Sequence, residues 1–155
     1  MRSPWIRNVL VVSVAAIFAV ACGPDDGGTT GGMDTSNGGT DTGPERFEMI
    51  DCSSASNATE VQVGPMFKYD PKDVEISAGG VVKWTWPSGL NFKHDVTADD
   101  DSDCQSAKPG WFQSDTTDQS GYTFCVRFNE TGTWNYQCTV TGHCPQGMKG
   151  TVTVE

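Results

Sequence analysis

Hydrophobic and polar residues alternate along several short segments of the chain, and turn-forming residues separate these segments. The alternating hydrophobic positions are Val74 and Ile76; Val82, Trp84 and Trp86; Tyr122, Phe124, Val126 and Phe128; Trp134, Tyr136 and Cys138; and Val152 and Val154. Turns are expected at 78–80, 87–89 and 129–132, where small and turn-forming residues are concentrated. A period of two at this spacing is typical of a β-sandwich or β-barrel, and we predict about seven to eight strands.

Two other regions complete the predicted domain. An earlier strand is expected at about 60–63, with a further extended segment at 66–69. The stretch from about 99 to 120 does not alternate, so we predict one long connecting loop there. Its cluster of Asp99, Asp100, Asp101 and Asp103 lacks the regular spacing and closing glutamate of a calcium loop, which favours a solvated acidic loop.

Residues 1–21 have the layout of a secretory signal peptide. Arg2 and Arg7 precede an apolar run at 9–21, which is shorter than the roughly 20 residues that a membrane-spanning helix needs. The run ends in Ala21 and Cys22, and small residues before a cysteine resemble the lipobox of bacterial lipoproteins. That resemblance implies cleavage before Cys22 and lipidation of its thiol. An ordinary signal peptide with an incidental cysteine is the alternative.

The next segment, 22–45, is predicted to be a flexible linker. It consists almost wholly of Gly, Asp, Thr, Ser, Asn and Pro, which cannot bury enough surface to offset their chain entropy. A lipid on Cys22 and this linker would hold the domain at 46–155 near a membrane. We therefore expect an exported protein of the bacterial cell envelope, anchored by lipid at a periplasmic or outer surface.

Charge and cysteine content narrow the function further. The formal net charge is −10, and removing Arg2 and Arg7 with the signal leaves −12, which argues against nucleic acid as a partner. The chain has six cysteines. If Cys22 carries lipid, an odd number remains, and an odd cysteine in an exported protein needs an explanation. A cysteine that binds a metal ion as a thiolate would account for the unpaired cysteine.

Four residues form a candidate metal site. His94 shares the side of its segment with Phe92 and Val96, while Cys138 and Met148 share the inward side of the last two strands. His143, the second of only two histidines, lies on the loop between those strands. One thiolate, two imidazoles and a weak axial thioether suit a single copper ion that cycles between Cu(I) and Cu(II). Zinc could bind the thiolate and imidazoles, but methionine is a poor zinc ligand.

The alternatives for these residues are structural. An inward histidine can be an ordinary core residue. Cys138 can be half of a disulfide, and Met148 can be an ordinary core side chain with no metal role. The spacing of both histidines around Cys138 favours the metal site.

The segment from Tyr136 to Gly150 resembles the copper loop of the cupredoxins, the type 1 blue copper proteins. Its Cys-x4-His-x4-Met spacing, with Gly-His-Cys and Gly-Met-Lys, is most similar to the phytocyanins such as plantacyanin, whereas plastocyanin has a shorter step from Cys to His. Phe92 to Val96 resembles the family's first ligand strand, and 71–86 resembles its opening strands. Asp95 stands where many cupredoxins have Asn. The resemblance implies a Greek-key β-sandwich with a plastocyanin-like overall pattern, and His94, Cys138, His143 and Met148 as copper ligands.

Disulfide pairing is also implied by the resemblance. With Cys22 and Cys138 assigned, four cysteines remain and allow three pairings. In phytocyanins the cysteine after the ligand histidine pairs with one in the connection after the first ligand strand, which implies Cys104–Cys144. Cys52 and Cys125 are then left for each other.

These features predict a monomeric electron-transfer protein rather than an enzyme. One closed copper site lacks the open metal position that catalysis needs. The His143 ring edge is expected at the surface, where redox protein partners would dock. The alternative is a periplasmic copper-binding or copper-delivery protein without electron transfer, and a third hypothesis is an interaction module that uses the sandwich only as a scaffold.

Overall fold

The computed structural model describes residues 46–155. The predicted signal peptide, the lipidated Cys22 and the linker lie outside the described residues and remain predictions. Within the described part, nine strands form two sheets. The strands are β1 Phe47–Ile50, β2 Thr59–Val63, β3 Tyr69–Asp70, β4 Asp73–Ile76, β5 Gly80–Thr85, β6 Thr97–Asp99, β7 Thr123–Phe128, β8 Gly132–Gln137 and β9 Lys149–Val154. Two short 3₁₀ turns lie at Cys52–Ser54 and Cys144–Gln146.

The two sheets pack as a sandwich. The first sheet has the order β1-β7-β5-β2-β3 and the second has the order β4-β9-β8-β6. Each sheet contains one parallel pair, β2 with β5 and β4 with β9, and its other neighbouring strands are antiparallel. The predicted all-β sandwich is confirmed, with nine strands where about seven to eight were expected.

Aromatic side chains fill the space between the sheets. Trp84, Trp86 and Tyr136, which the alternating pattern placed inward, are completely buried. Burying one large apolar side chain contributes roughly 1.5–3 kcal/mol, so these rings dominate the stability of the core. Gly150 permits this packing, because a Cβ there would lie 1.9 Å from the Lys72 carbonyl and 2.7 Å from the Tyr136 ring.

Strand β1 was not expected from the pattern. Phe47 is buried and its ring contacts those of Phe112, Phe128 and Trp134 at centroid distances of 5.2, 5.5 and 4.9 Å. The strand pairs with β7, which places Ile50 opposite Cys125. Cys52 lies two residues after Ile50, so the pairing of β1 with β7 brings Cys52 close to Cys125. Only one residue of β1, Phe47, is buried, and this explains why the strand carries no clear alternation.

The long connection between β6 and β7 follows the sheet edge. Residues Ala107, Gln113 and Thr117 form isolated bridges with Asp99, Thr97 and His94. The connection therefore covers β6 instead of extending into solvent. In the described part of the chain, no helix is long and apolar enough to cross a membrane.

Both disulfides have the pairing that the resemblance implied. Cys52 is bonded to Cys125, and Cys104 is bonded to Cys144. Among residues 46–155, Cys138 is the free cysteine, and it is buried. The second disulfide joins the loop after β8 to the long connection that covers β6.

Candidate metal centre

The loop between β8 and β9 is closed at its base by backbone hydrogen bonds. The Cys138 amide donates to the Met148 carbonyl over 3.0 Å, and the Met148 amide donates to the His143 carbonyl over 3.1 Å. Gly147, at φ +104°, ends the 3₁₀ turn and lets the chain reverse into β9. The loop therefore holds Cys138, His143 and Met148 at defined positions.

His94 enters the site from the segment that leads into β6, the neighbour of β8 in the sheet. Its backbone exchanges two hydrogen bonds with Thr117, each of 2.9 Å, and its side chain is completely buried. The sequence pattern predicted that His94 lies on a strand together with Phe92 and Val96. The structure gives an isolated bridge at His94, with β6 beginning at Thr97, and Phe92 is 47% exposed. The inward direction of His94 and Val96 was correct, and that of Phe92 was wrong because its ring lies outside the sandwich.

Three donor groups converge at this point. The Nδ1 atoms of His94 and His143 are 3.2 Å apart, and Nδ1 of His143 is 3.4 Å from Sγ of Cys138. Donor atoms of all three residues lie within 4.8 Å of one another. Since metal–nitrogen and metal–sulfur bonds are about 2.0–2.3 Å long, one ion can contact all three.

Met148 is completely buried at the base of the loop. Its backbone contacts Cys138 and His143, the two loop residues of the donor cluster. Its side chain is therefore confined to the interior of the sandwich. Its role as the fourth ligand remains a prediction.

Burial keeps both imidazoles neutral in the metal-free protein. Desolvation lowers the pKa of His94 to about 4, with a smaller contribution from His143, while the Asp95 charge opposes the shift. The pKa of His143 is also lowered, first by desolvation, against the Asp95 charge. A neutral imidazole is the form that binds a metal.

The thiol of Cys138 is protonated when no metal is bound. Burial raises its pKa to about 11. A metal that binds here must therefore displace one thiol proton. The donor set fits a soft metal, because thiolate sulfur is a soft ligand and imidazole nitrogen suits copper in both oxidation states. Within the described part of the chain, His94 Nε2 is buried without a hydrogen-bond partner, whereas its Nδ1 faces Nδ1 of His143 at 3.2 Å.

Aromatic side chains surround His143. The Phe67 ring lies 4.4 Å and the Phe92 ring 6.2 Å from the His143 ring, between centroids. His143 itself is only 5% exposed, whereas Phe92 is 47% exposed. Little of the His143 ring therefore reaches the surface, and two aromatic rings lie beside it. The sequence pattern gave no role at the site to Phe67, because this residue does not belong to an alternating segment.

An open groove lies beside the same loop. It has a volume of about 220 Å³, and its walls include Cys138 and both cysteines of the Cys104–Cys144 disulfide. Because Cys144 directly follows His143, the disulfide ties the loop that carries His143 to the long connection.

Comparison with known proteins agrees with this fold and donor set. Residues 55–155 match the family of copper binding proteins described as the plastocyanin/azurin family. The match covers more than half of the chain, so the chain belongs to this family, the cupredoxins.

Two named proteins are similar to this chain in sequence. The chain is 36% identical over 89 residues to halocyanin of Natronomonas pharaonis, covering 57% of this chain and 49% of halocyanin. It is 31% identical over 104 residues to amicyanin-alpha of Methylorubrum extorquens, covering 64% of this chain and 74% of the relative. The chain thus matches about half the length of halocyanin.

Solved structures show the same fold. A point mutant of amicyanin in its reduced Cu(I) form superposes with a TM-score of 0.54 at 21% identity, covering 72% of this chain and 100% of amicyanin. Auracyanin B superposes with a TM-score of 0.50 at 20% identity, covering 71% of this chain and 98% of that chain.

Proposed function

We propose that this protein is a membrane-tethered type 1 copper protein that passes single electrons between redox partners. The observation that carries the proposal is the convergence of His94, Cys138 and His143, with donor atoms 3.2 and 3.4 Å apart inside a rigid sandwich. Met148 is proposed as the weak axial ligand. Family membership supports copper as the metal, and the copper loop is proposed to be of the phytocyanin type.

Bound copper would supply a one-electron couple between Cu(I) and Cu(II). The protein's part is to hold the donors in place before and after the electron moves. Cys138 and Met148 are linked by a backbone hydrogen bond, and the turn after His143 is pinned by the Cys104–Cys144 disulfide. Such a site needs little rearrangement when the oxidation state changes, which favours rapid transfer.

The apolar side chains above His143 are proposed as the docking surface for redox partners. Phe67 and Phe92 lie beside the His143 ring and contact each other at a centroid distance of 5.4 Å. A small apolar surface suits a short-lived complex with a redox partner. The electron would enter or leave through His143 and these rings.

Copper delivery without electron transfer is the competing function. A delivery site must exchange its metal readily, which requires exposed ligands. His94 and Cys138 are 0% and 1% exposed, and His143 is 5% exposed. This burial favours retention of the metal and therefore electron transfer.

Export and tethering complete the proposal. The secretory signal at 1–21, a lipid on Cys22 and the flexible linker at 22–45 would place the domain at the periplasmic or outer surface of a bacterial membrane. Metabolic labelling with a radioactive or clickable fatty acid tests this. Label in the wild type and none in Cys22→Ser is expected, and label in both would contradict the lipid site.

An optical spectrum of the oxidised, copper-loaded protein tests the metal site. Intense thiolate-to-copper absorption is expected in the wild type and not in Cys138→Ser, which should remain folded because sulfur and oxygen differ little in size. A matched control, Ser114→Cys, adds a buried thiol elsewhere and should leave the absorption unchanged. A wild-type protein that binds Cu(II) without this absorption would contradict the proposal.

A further inference from the structure

Asp99 is a buried carboxylate at the end of β6, where the acidic stretch 99–103 begins. The sequence pattern predicted a solvated acidic loop, and for Asp99 that prediction was wrong, because the residue is only 1% exposed. Among the described residues, neither of its carboxylate oxygens has a hydrogen-bond partner. A carboxylate that leaves water without a hydrogen bond or an opposite charge carries a large free-energy cost.

The chain after Asp99 folds back on itself as a closed turn. Asp99 forms an isolated bridge with Ala107, and the Asp100 amide donates to the Ser106 carbonyl at 3.1 Å. Residues 100–106 therefore leave the end of β6 and return to its edge. The unpartnered carboxylate lies at the base of this turn.

Other carboxylates of the turn act on Asp99. Burial raises the pKa of Asp99, the charges of Asp103 and Asp101 raise it further, and two nearby backbone amides offset part of the shift. The Asp99 side chain therefore faces the acidic turn. The lysine of the same connection, Lys108, is paired with Asp100 at 3.1 Å. Within residues 46–155, no ion pair involves Asp99, Asp101 or Asp103.

The carboxylate of Asp103 is held in place inside the turn. Its Oδ1 accepts from the amides of Gln105 at 2.7 Å and Ser106 at 2.9 Å, and its Oδ2 accepts from the Ser106 hydroxyl at 3.2 Å. Since a carboxylate oxygen can accept two contacts, Oδ2 retains capacity for a cation. The turn thus offers carboxylate and backbone carbonyl oxygens without a positive charge to balance them.

We propose that the acidic turn binds one divalent cation of the Ca²⁺ type, with Asp99 as the inner ligand and Asp101 and Asp103 as the outer ligands. Ca²⁺ takes about six to eight oxygen ligands in a flexible geometry, which suits a short turn that supplies side-chain and backbone oxygens. The bound cation would supply the opposite charge that the buried carboxylate lacks.

The turn is attached to both ends of the loop between β8 and β9. Cys104 is bonded to Cys144, and the Ser102 carbonyl accepts from Nζ of Lys149 at 2.7 Å. A cation in the turn would therefore stabilise the segment to which this loop is fixed. The expected result is a folded domain whose stability responds to calcium.

Thermal unfolding of the copper-free, disulfide-bonded protein in increasing calcium chloride tests the proposal. The melting temperature should rise and saturate, because a cation that binds only the folded state stabilises it. Half-saturation is expected at roughly 10⁻⁴–10⁻³ M, the range of extracellular calcium modules. Sodium chloride at the same ionic strength, which only screens charge, should not reproduce the rise. Because no copper is present, the outcome is independent of the proposed electron-transfer function.

Asp99→Asn should reverse the behaviour of the wild type. Without calcium the variant should melt at a higher temperature, because the unpartnered charge is gone, and added calcium should no longer raise that temperature. Asp118→Asn is the matched control, since Asp118 is an exposed carboxylate of the same long connection. This control loses the same charge and should keep the calcium response of the wild type.

Asp101→Asn gives a second test that leaves the buried residue in place. Asp101 is exposed, so the variant should fold normally, and its half-saturating calcium concentration should be several-fold higher. The inference is overturned if the wild type shows no saturating rise or if sodium chloride gives the same rise. It is also overturned if Asp99→Asn or Asp101→Asn responds to calcium as the wild type does.

Discussion

The Nδ1 atoms of His94 and His143 lie 3.2 Å apart, although 49 positions separate the two residues in the chain. Without a metal, two neutral imidazoles in complementary tautomers can share one hydrogen bond here. A cation between the two nitrogen lone pairs would engage both Nδ1 atoms at once. The close approach is held by the fold, through the Thr117 bridge on one side and the closed loop on the other.

Replacing Met148 by leucine should change the properties of the bound copper without unfolding the protein. The side chain is completely buried, and leucine preserves its size and apolar character. Loss of a weak thioether ligand costs the more highly charged Cu(II) more than Cu(I), so the reduction potential should rise. Redox titration and the visible spectrum of the loaded protein measure the change.

Met66→Leu is the control for this prediction, because Met66 is 66% exposed and lies outside the donor cluster. Its potential and spectrum should match the wild type. If Met148→Leu behaves in the same way as Met66→Leu, Met148 is a core residue and not a ligand.

The metal-free protein should lose stability as the pH falls from 6.5 towards 4. Burial lowers the pKa of His94 to about 4, whereas in the unfolded chain this histidine protonates near 6.5. Within that window the unfolded state binds a proton that the folded state does not, so acid favours unfolding. Urea unfolding at pH 7.0, 6.0, 5.0 and 4.5, roughly spanning this interval, measures the slope.

His94→Asn supplies the comparison for the pH series. The variant lacks the buried imidazole, so its unfolding free energy should vary less over the same interval. Parallel pH dependence in the two proteins would show that His94 is not the group responsible.

Removal of the Cys104–Cys144 disulfide should weaken both the fold and metal retention. The bond closes a loop with a sequence separation of 40, and in the chain-entropy model such a bond contributes about 2–4 kcal/mol. The double variant Cys104→Ser, Cys144→Ser should therefore unfold at lower urea concentration. It should also release copper faster to a strong chelator, because the turn after His143 is no longer pinned.

The Cys52–Cys125 bond is the natural control, since it joins the segment after β1 to β7, away from the donor cluster. Cys52→Ser, Cys125→Ser should lose stability while keeping the slow copper release of the wild type. Equally fast release from both double variants would mean that general destabilisation, and not the anchoring of the loop, controls metal loss.

Substitution of Phe92 by serine should slow electron transfer while leaving the copper site intact. The ring is 47% exposed and lies 6.2 Å from the His143 ring, so it contributes to the proposed docking surface and not to the ligands. The electron self-exchange rate, measured by NMR line broadening in mixtures of oxidised and reduced protein, should fall by roughly 10-fold or more, which corresponds to about 1.4 kcal/mol. Met49→Ser, at an exposed apolar residue of β1, should leave the rate unchanged. Equal rates in the wild type and Phe92→Ser would place the docking surface elsewhere.

Alternation along the strands was sufficient to predict the sandwich and the inward direction of most core side chains. Val152, Val154, Trp84 and Tyr136 are buried as the period of two requires, because successive side chains of a strand point to opposite faces. The same rule was wrong for Phe92, since no regular strand exists at that position. Strand β1 was missed because its pairing with β7 and its contact through Phe47 involve distant residues.

The sequence by itself determined the types and spacing of the candidate ligands, since His94, Cys138, His143 and Met148 can be recognised from residue chemistry and the loop pattern. Only the tertiary structure decided how close the donor atoms are and which side chains lie beside the His143 ring. Local periodicity reports the direction of a side chain relative to its own strand. Contacts between segments tens of residues apart depend on the packing of the two sheets and the loops between them, and a local pattern does not contain that information.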